Sequence, residues 1–163
     1  MGQEIERKFL VLNDAYKKQS KAVLYKQGFL STQKERVVRV RIADDKAFIT
    51  VKGITKSISR SEFEYEIPIE DAESMLNELC EKPLIIKYRY KIPMGDFVWE
   101  VDEFLVENKG LLIAEIELEH ERQKYPIPDW LGKEVTNDPK YYNSNLVKNP
   151  YSKWARSGNN SSN

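Results

Sequence analysis

At 163 residues and 19.1 kDa the chain has room for one domain with a real core and is too short for two ordinary ones. Its charge is dense but balanced, 26 Lys and Arg against 26 Asp and Glu, which excludes the global field that draws proteins to nucleic acid or to membranes. No apolar run nears the roughly 20 residues of a membrane span, the N-terminal stretch lacks a secretion-signal core, and the lone Cys80 cannot form an internal disulfide, so a cytoplasmic protein is expected.

The first predicted strand, Glu4 to Val11, places Glu4, Glu6 and Lys8 on one face and Ile5 and Phe9 on the other, because successive strand side chains alternate. Asn13 or Asp14 can cap a short, lysine-rich, exposed helix to about Ser20, and a second strand runs from about Val23 to Thr32. In Val37 to Ile42, Arg39 and Arg41 share a face. After an Asp44-Asp45 turn, Ala47 to Lys52 places Thr50 beside Lys52, and Glu62 to Ile67 aligns Glu62, Glu64 and Glu66. Asp71 reads as the cap of a helix with Met75, Leu76, Leu79 and Cys80 at helical spacing, ended by Pro83. Leu84 to Ile92 pairs Lys87 with Arg89, Phe97 to Asp102 pairs Glu100 with Asp102, and Leu112 to Glu119 aligns Glu115, Glu117 and Glu119. Beyond, Pro126, Pro128 and Gly132 predict loop, and Asp138-Pro139 opens a helix to about Lys148. The domain is expected over 1–150, with 151–163 a polar tail that is disordered toward its end.

Eight strands with short connections imply antiparallel neighbours. Two architectures satisfy the alternation: an open sheet with helices on its apolar face and a wet charged face, or a closed barrel with the charges inside. Sorting by strand favours the second, since neighbouring like charges gain nothing on a merely solvated face. The fold class predicted is α+β, mainly β, a closed eight-stranded antiparallel tunnel with a charged interior and a few covering helices. Clustered arginines and lysines suit phosphate oxygens, and clustered carboxylates suit Mg²⁺ or Mn²⁺, so a polyanion carried with metal fits both.

Glu4-Ile5-Glu6-Arg7-Lys8, Arg39-Val40-Arg41, Thr50-Val51-Lys52, Glu62-Phe63-Glu64, Lys87-Tyr88-Arg89, Asp102 and Glu115-Ile116-Glu117 follow one another in an order that resembles the CYTH domain superfamily, the triphosphate tunnel metalloenzymes. Trp130 to Thr136, with Tyr142 and Asn143, is similar to its short bacterial members. The resemblance implies an eight-stranded tunnel and a divalent-metal-dependent enzyme acting on tripolyphosphate, thiamine triphosphate or ATP. By position it implies Glu4, Glu6 and Glu117 as ligands of the activating metal and, with Lys8, as the catalytic set. Lys8, Arg39, Arg41, Lys52, Lys87 and Arg89 would hold phosphates, and Glu62, Glu64, Asp102 and Glu115 a second metal or its waters, with Glu100 and Glu119 as flanking candidates. Phe29 stands where relatives often carry tyrosine.

Hydrolysis of tripolyphosphate is the leading expectation. A class IV adenylate cyclase and a non-catalytic polyphosphate or nucleotide binder are the alternatives, the last disfavoured because binding alone has little use for so many acids. No nucleic-acid or membrane partner is expected, and the tunnel mouths and edges leave room for a homodimer. His120 reads as a surface residue, Cys80 as a small buried one, and Trp99, Trp130 and Trp154 as packing under the helices. Lys133 reads equally as a solvated loop lysine and as a mobile cation at a tunnel mouth.

Overall fold

Alternation along each strand leaves every segment with one face that must be buried and one that carries charge, and rolling the sheet on itself satisfies both. The computed structural model describes residues 2–154. The strands are β1 (Gly2–Val11), β2 (Ala22–Gln33), β3 (Arg36–Ala43), β4 (Lys46–Lys52), β5 (Ser59–Ile67), β6 (Ile85–Met94), β7 (Phe97–Phe104) and β8 (Leu112–Glu117), with helix α1 (Ile69–Glu78) between β5 and β6. In space the order is β5, β4, β3, β2, β6, β7, β8, β1, all antiparallel. β1 pairs back onto β5 over Gly2 to Ile5, which closes the ring and rules out the open sheet.

A ninth strand, β9 (Leu131–Glu134), stands where loop was expected and borders β1 at Phe9 and Val11, beyond the point where β5 leaves it. Gly132 makes this possible, since a Cβ there would lie 2.9 Å from the Leu10 carbonyl oxygen. Two predicted helices are also corrected. The one near residue 15 is a single 3-10 turn, Ala15–Lys18, drawn onto the barrel by Tyr16, which is fully buried with its ring 5.1 Å from that of Tyr90. The one after Asp138 splits into a 3-10 turn, Pro139–Tyr141, and a short helix α2 (Asn143–Leu146), because Tyr142 between them is extended.

Outside the barrel, Phe9, Tyr90, Ile92, Trp99, Val101, Ala114 and Ile116 form an apolar cluster covered by Tyr16, Leu118 and Trp130. Trp99 sits edge-on to Phe9 and Trp130, and its indole N–H donates to the Pro126 carbonyl at 3.1 Å. These tryptophans are packed as expected, under loop rather than helix. On the opposite side α1 lays Ala72 and Leu76 against Val40 and Ala47, with Cys80 buried beside them. No helix is long and apolar enough to cross a membrane among the described residues.

The inward face changes character along the barrel. One step along the inward face from Lys8, Gln27, Arg39, Lys87, Asp102 and Glu115 come Leu10, Phe29, Val37, Ile85, Phe104 and Ile113. These apolar residues cluster with Leu146 and Val147 from the α2 segment, and Tyr141, Tyr151 and Trp154 pack on the cluster. One end of the barrel is therefore plugged by the chain itself, and packing continues to Trp154. Of the stretch 151–163 expected as a polar tail, Tyr151 and Trp154 thus pack on the barrel, and residues 155–163 lie outside the described residues.

Candidate active site

The charged remainder of the interior is a cavity of about 320 Å³. Glu4, Glu6, Glu62, Glu64, Glu100, Glu115 and Glu117 line it with Lys8, Arg39, Arg41, Lys52, Arg60, Lys87, Arg89 and Lys91. Around the ring these groups are segregated. β4, β3, β2 and β6 are contiguous, and β4, β3 and β6 supply cations from Lys52 to Lys91 while β2 between them offers Tyr25 and Phe29; β7, β8, β1 and β5 complete the circle and supply the carboxylates, with Lys8 and Arg60 among them. Asp102 and Glu119 are the two predicted carboxylates absent from the wall. Asp102 is wholly buried behind Arg89 and Lys87, and Glu119 is exposed, as is His120.

Many of the acids are already engaged. Both oxygens of Glu4 accept from the Lys52 ammonium, at 3.1 and 3.0 Å, and Arg60 Nε donates to Oε1 at 3.3 Å. Lys8 Nζ donates to Glu115 at 2.5 Å, and Glu6 lies 3.7 Å away. Asp102 takes a two-pronged bond from Arg89, 2.7 and 2.9 Å, and an ion pair from Lys87 at 2.8 Å. Thr50 donates to Glu64 at 2.7 Å, while Arg39 and Arg41 stand 3.4 and 3.6 Å from that same carboxylate oxygen. The buried Nε atoms of Arg39 and Arg41 have no partner.

The titration of these groups follows. Burial disfavours the charged forms of Glu115, Glu4 and Asp102, but adjacent cations outweigh it and hold all three below the ordinary carboxylate range, Glu115 furthest, through Lys8 and Arg89. Lys8 is raised in turn, Glu115 and Glu6 overcoming its burial. Glu6 goes the other way: burial, then Glu115 and Glu4, push it well above its usual range. Glu117 and Glu62 are also raised, by burial and then by Glu4. On the cationic side, burial and Arg89 bring Lys87 down to about 7 despite Asp102, and burial and Arg41 bring Arg39 down to about 10.

Among the described residues no three Asp, Glu, His or Cys side chains are gathered as a metal site, since Glu4 and Glu115 are turned onto Lys52 and Lys8. The donor set nonetheless fits a hard divalent cation. Glu6 and Glu117 are crowded by other carboxylates, which the 3.7 Å approach of Lys8 to Glu6 offsets only in part, and an ion bound among oxygens would relieve that crowding. Several cavity residues, Arg60, Lys91, Tyr25 and Asn143 among them, were not predicted as site residues. Arg60 and Lys91 were legible, lying two residues from Glu62 and Arg89 on the same strand faces. Tyr25 and Asn143 were not: Asn143 Oδ1 accepts from Lys87 and from Gln27, which is buried beside the cavity, each at 2.8 Å, a meeting that only the fold creates.

A closed antiparallel barrel with its ligand site in the lumen, between a cationic and an acidic half-wall, defines a recognisable class of protein. The CYTH domain matches residues 2–149, and the chain belongs to that family. It is 58% identical over 151 residues to the inorganic triphosphatase of Acetivibrio thermocellus, with 93% of this chain and 97% of that one covered. It is 35% identical over 151 residues to the inorganic triphosphatase of Nitrosomonas europaea, with 88% and 96% covered. A solved inorganic triphosphatase superposes with a TM-score of 0.64 at 32% identity, covering 90% of this chain and 95% of the other.

Proposed function

We propose that this protein is a metal-dependent hydrolase of inorganic tripolyphosphate. The segregated wall carries the proposal. A bare anion would meet one half of the cavity favourably and the other unfavourably, as would a bare cation; a linear polyphosphate carried with divalent metal satisfies both. The names of the relatives support the same substrate.

Arg39, Arg41, Lys87 and Arg89 hold the phosphate chain, with Lys52 at the boundary with the acidic wall and Lys8 within that wall. Guanidinium forks with unspent N–H groups, as at Arg39 and Arg41, stabilise charge that builds on the phosphoryl oxygens during transfer. Asp102 holds Arg89 and Lys87 in place from behind. Glu4, Glu6 and Glu117 would hold the divalent cation, Mg²⁺ or Mn²⁺, and Glu62, Glu64 and Glu115 its waters or a second ion; when bound, the metal supplies Lewis acidity that makes water a better nucleophile. The plug leaves one end of the barrel closed, so a slender chain enters from the other. The single cysteine suits the cytoplasm.

Incubation of the purified protein with tripolyphosphate, thiamine triphosphate and ATP, each with Mg²⁺ or Mn²⁺, tests the reading. Orthophosphate and pyrophosphate released fastest from tripolyphosphate are expected. Cyclic AMP with pyrophosphate from ATP would overturn it in favour of a cyclase, and stoichiometric binding without turnover would leave only a binding module.

A further inference from the structure

Between the strands that carry Arg41 and Arg89 runs β2, whose inward residue at this level is aromatic. Pairing sets Gln27 opposite Arg41 and Val23 opposite Arg89, so Tyr25 is the diagonal neighbour of both. Aromatic and long side chains reach across that diagonal. The guanidinium carbons of Arg41 and Arg89 lie 5.0 and 4.8 Å from the Tyr25 ring centroid, and the residue is only 5% exposed. One buried ring thus serves two cations of the phosphate-binding wall.

The two arginines depend on it differently. Arg89 is already fixed by the two-pronged bond to Asp102. Arg41 has only the ion pair of 3.6 Å to Glu64, an oxygen it shares with Arg39, and its buried Nε has no partner. A guanidinium held by so little is free to turn, and it stands close to two other buried cations. The negative face of an aromatic ring attracts each cation and offsets their mutual repulsion, while the ring's stiffness fixes the planes they adopt.

We propose that Tyr25 is a positioning residue that holds the planes of Arg41 and Arg89 so that their N–H edges face the phosphate chain. The ring does this, and Arg41 relies on it most. The proposal rests on the polyphosphate reading of the cavity, but its geometry can be tested apart from turnover.

The experiment compares wild type with Tyr25→Phe, Tyr25→Leu and Tyr25→Met. It records KM and kcat for tripolyphosphate with Mn²⁺, calorimetric binding of tripolyphosphate without metal, and the arginine Nε–H resonances by NMR. Tyr25→Phe keeps the ring and is expected to retain most of the wild-type affinity. Tyr25→Leu and Tyr25→Met fill the space without a π face, and are expected to weaken both KM and metal-free binding roughly tenfold, with a smaller change in kcat and with displaced Arg41 and Arg89 resonances. The methionine variant carries the test should leucine impair folding. Wild-type affinity and unmoved resonances in the folded Leu or Met variant would overturn the proposal, as would a Phe variant impaired as deeply as Leu. If wild type binds tripolyphosphate without hydrolysing it while the variants behave as expected, the hydrolase reading falls and the positioning role stands.

Discussion

The two ends of the barrel interior share six of the eight strands, one inward step apart, and they work in opposite ways. At the plugged end Leu10, Phe29, Val37, Ile85, Phe104 and Ile113 bury apolar surface against Leu146 and Val147, each such side chain contributing roughly 1.5–3 kcal/mol. At the other end Lys8, Lys87, Arg89, Asp102 and Glu115 are buried at the expense of their hydration; pairing outweighs that cost at Lys8, Asp102 and Glu115 but not at Lys87. The plugged end stabilises; the charged end is held in an arrangement it would not adopt alone. The difference shows how a short chain keeps a polar cavity in its centre: it anchors six of the eight strands, all but β4 and β5, in a core immediately beside it.

Substitutions can break this contrast or sharpen it. The largest expected effect is on turnover. Glu4→Ala or Glu117→Ala should lower kcat with tripolyphosphate by at least about 10³-fold with the fold intact by circular dichroism, while Arg39→Ala should act mainly on KM; full metal-dependent activity without Glu4 would remove it from the site. Next comes the plug, where Leu146→Ala should cost about 2–5 kcal/mol of stability, read as a lowered urea midpoint, while kcat of the folded protein stays near wild type. If turnover fell in step with stability, the two ends would not be separable.

The smallest effect has the opposite sign. Because the folded-state pKa of Glu6 is raised, its ionisation opposes folding: the penalty is absent below the ordinary glutamate pKa and grows as pH rises through the interval up to the raised value. Glu6→Gln should therefore stabilise the metal-free protein at neutral pH, by on the order of 3 °C in Tm for each kcal/mol, and the gain should vanish at low pH. Glu115 is lowered, so its contribution is present above the ordinary glutamate pKa and lost as pH falls through the lowered one. A metal-free melting curve with Glu6→Gln below wild type at pH 7 would show that the carboxylate is not strained.

The charged strand faces were legible because the charged stretches carry a two-residue period unbroken by glycine or proline; β2, with Gly28 and mixed residues, has no such period. What the period cannot say is which strands become neighbours. Arg39 and Lys87 are far apart in sequence and meet across β2 only because β2 pairs with β6, and this is what gathers the cations on one half-wall. The plug escaped notice for a related reason: Leu10 beside Lys8 reads as an ordinary end of strand until Leu146 arrives from elsewhere. Asp102 read as a metal ligand by position, whereas its burial between two cations is a property of the closed ring. Tyr16 read as exposed within a lysine-rich segment because local composition does not reveal the aromatic surface waiting at Tyr90 and Trp130.

The closure of the ring through β1 has a consequence for how the molecule comes into being. β1 is made early, yet it matches Glu4 with Arg60, Glu6 with Glu117 and Val11 with Leu131. During synthesis it must wait, unpaired, while local hairpins such as β3–β4 and β6–β7 form within themselves. Pairings so distant in sequence make folding slow. The alternating charges Glu4, Glu6 and Lys8 that later face the lumen keep this waiting strand hydrated, and discourage it from adding to the edge of another chain.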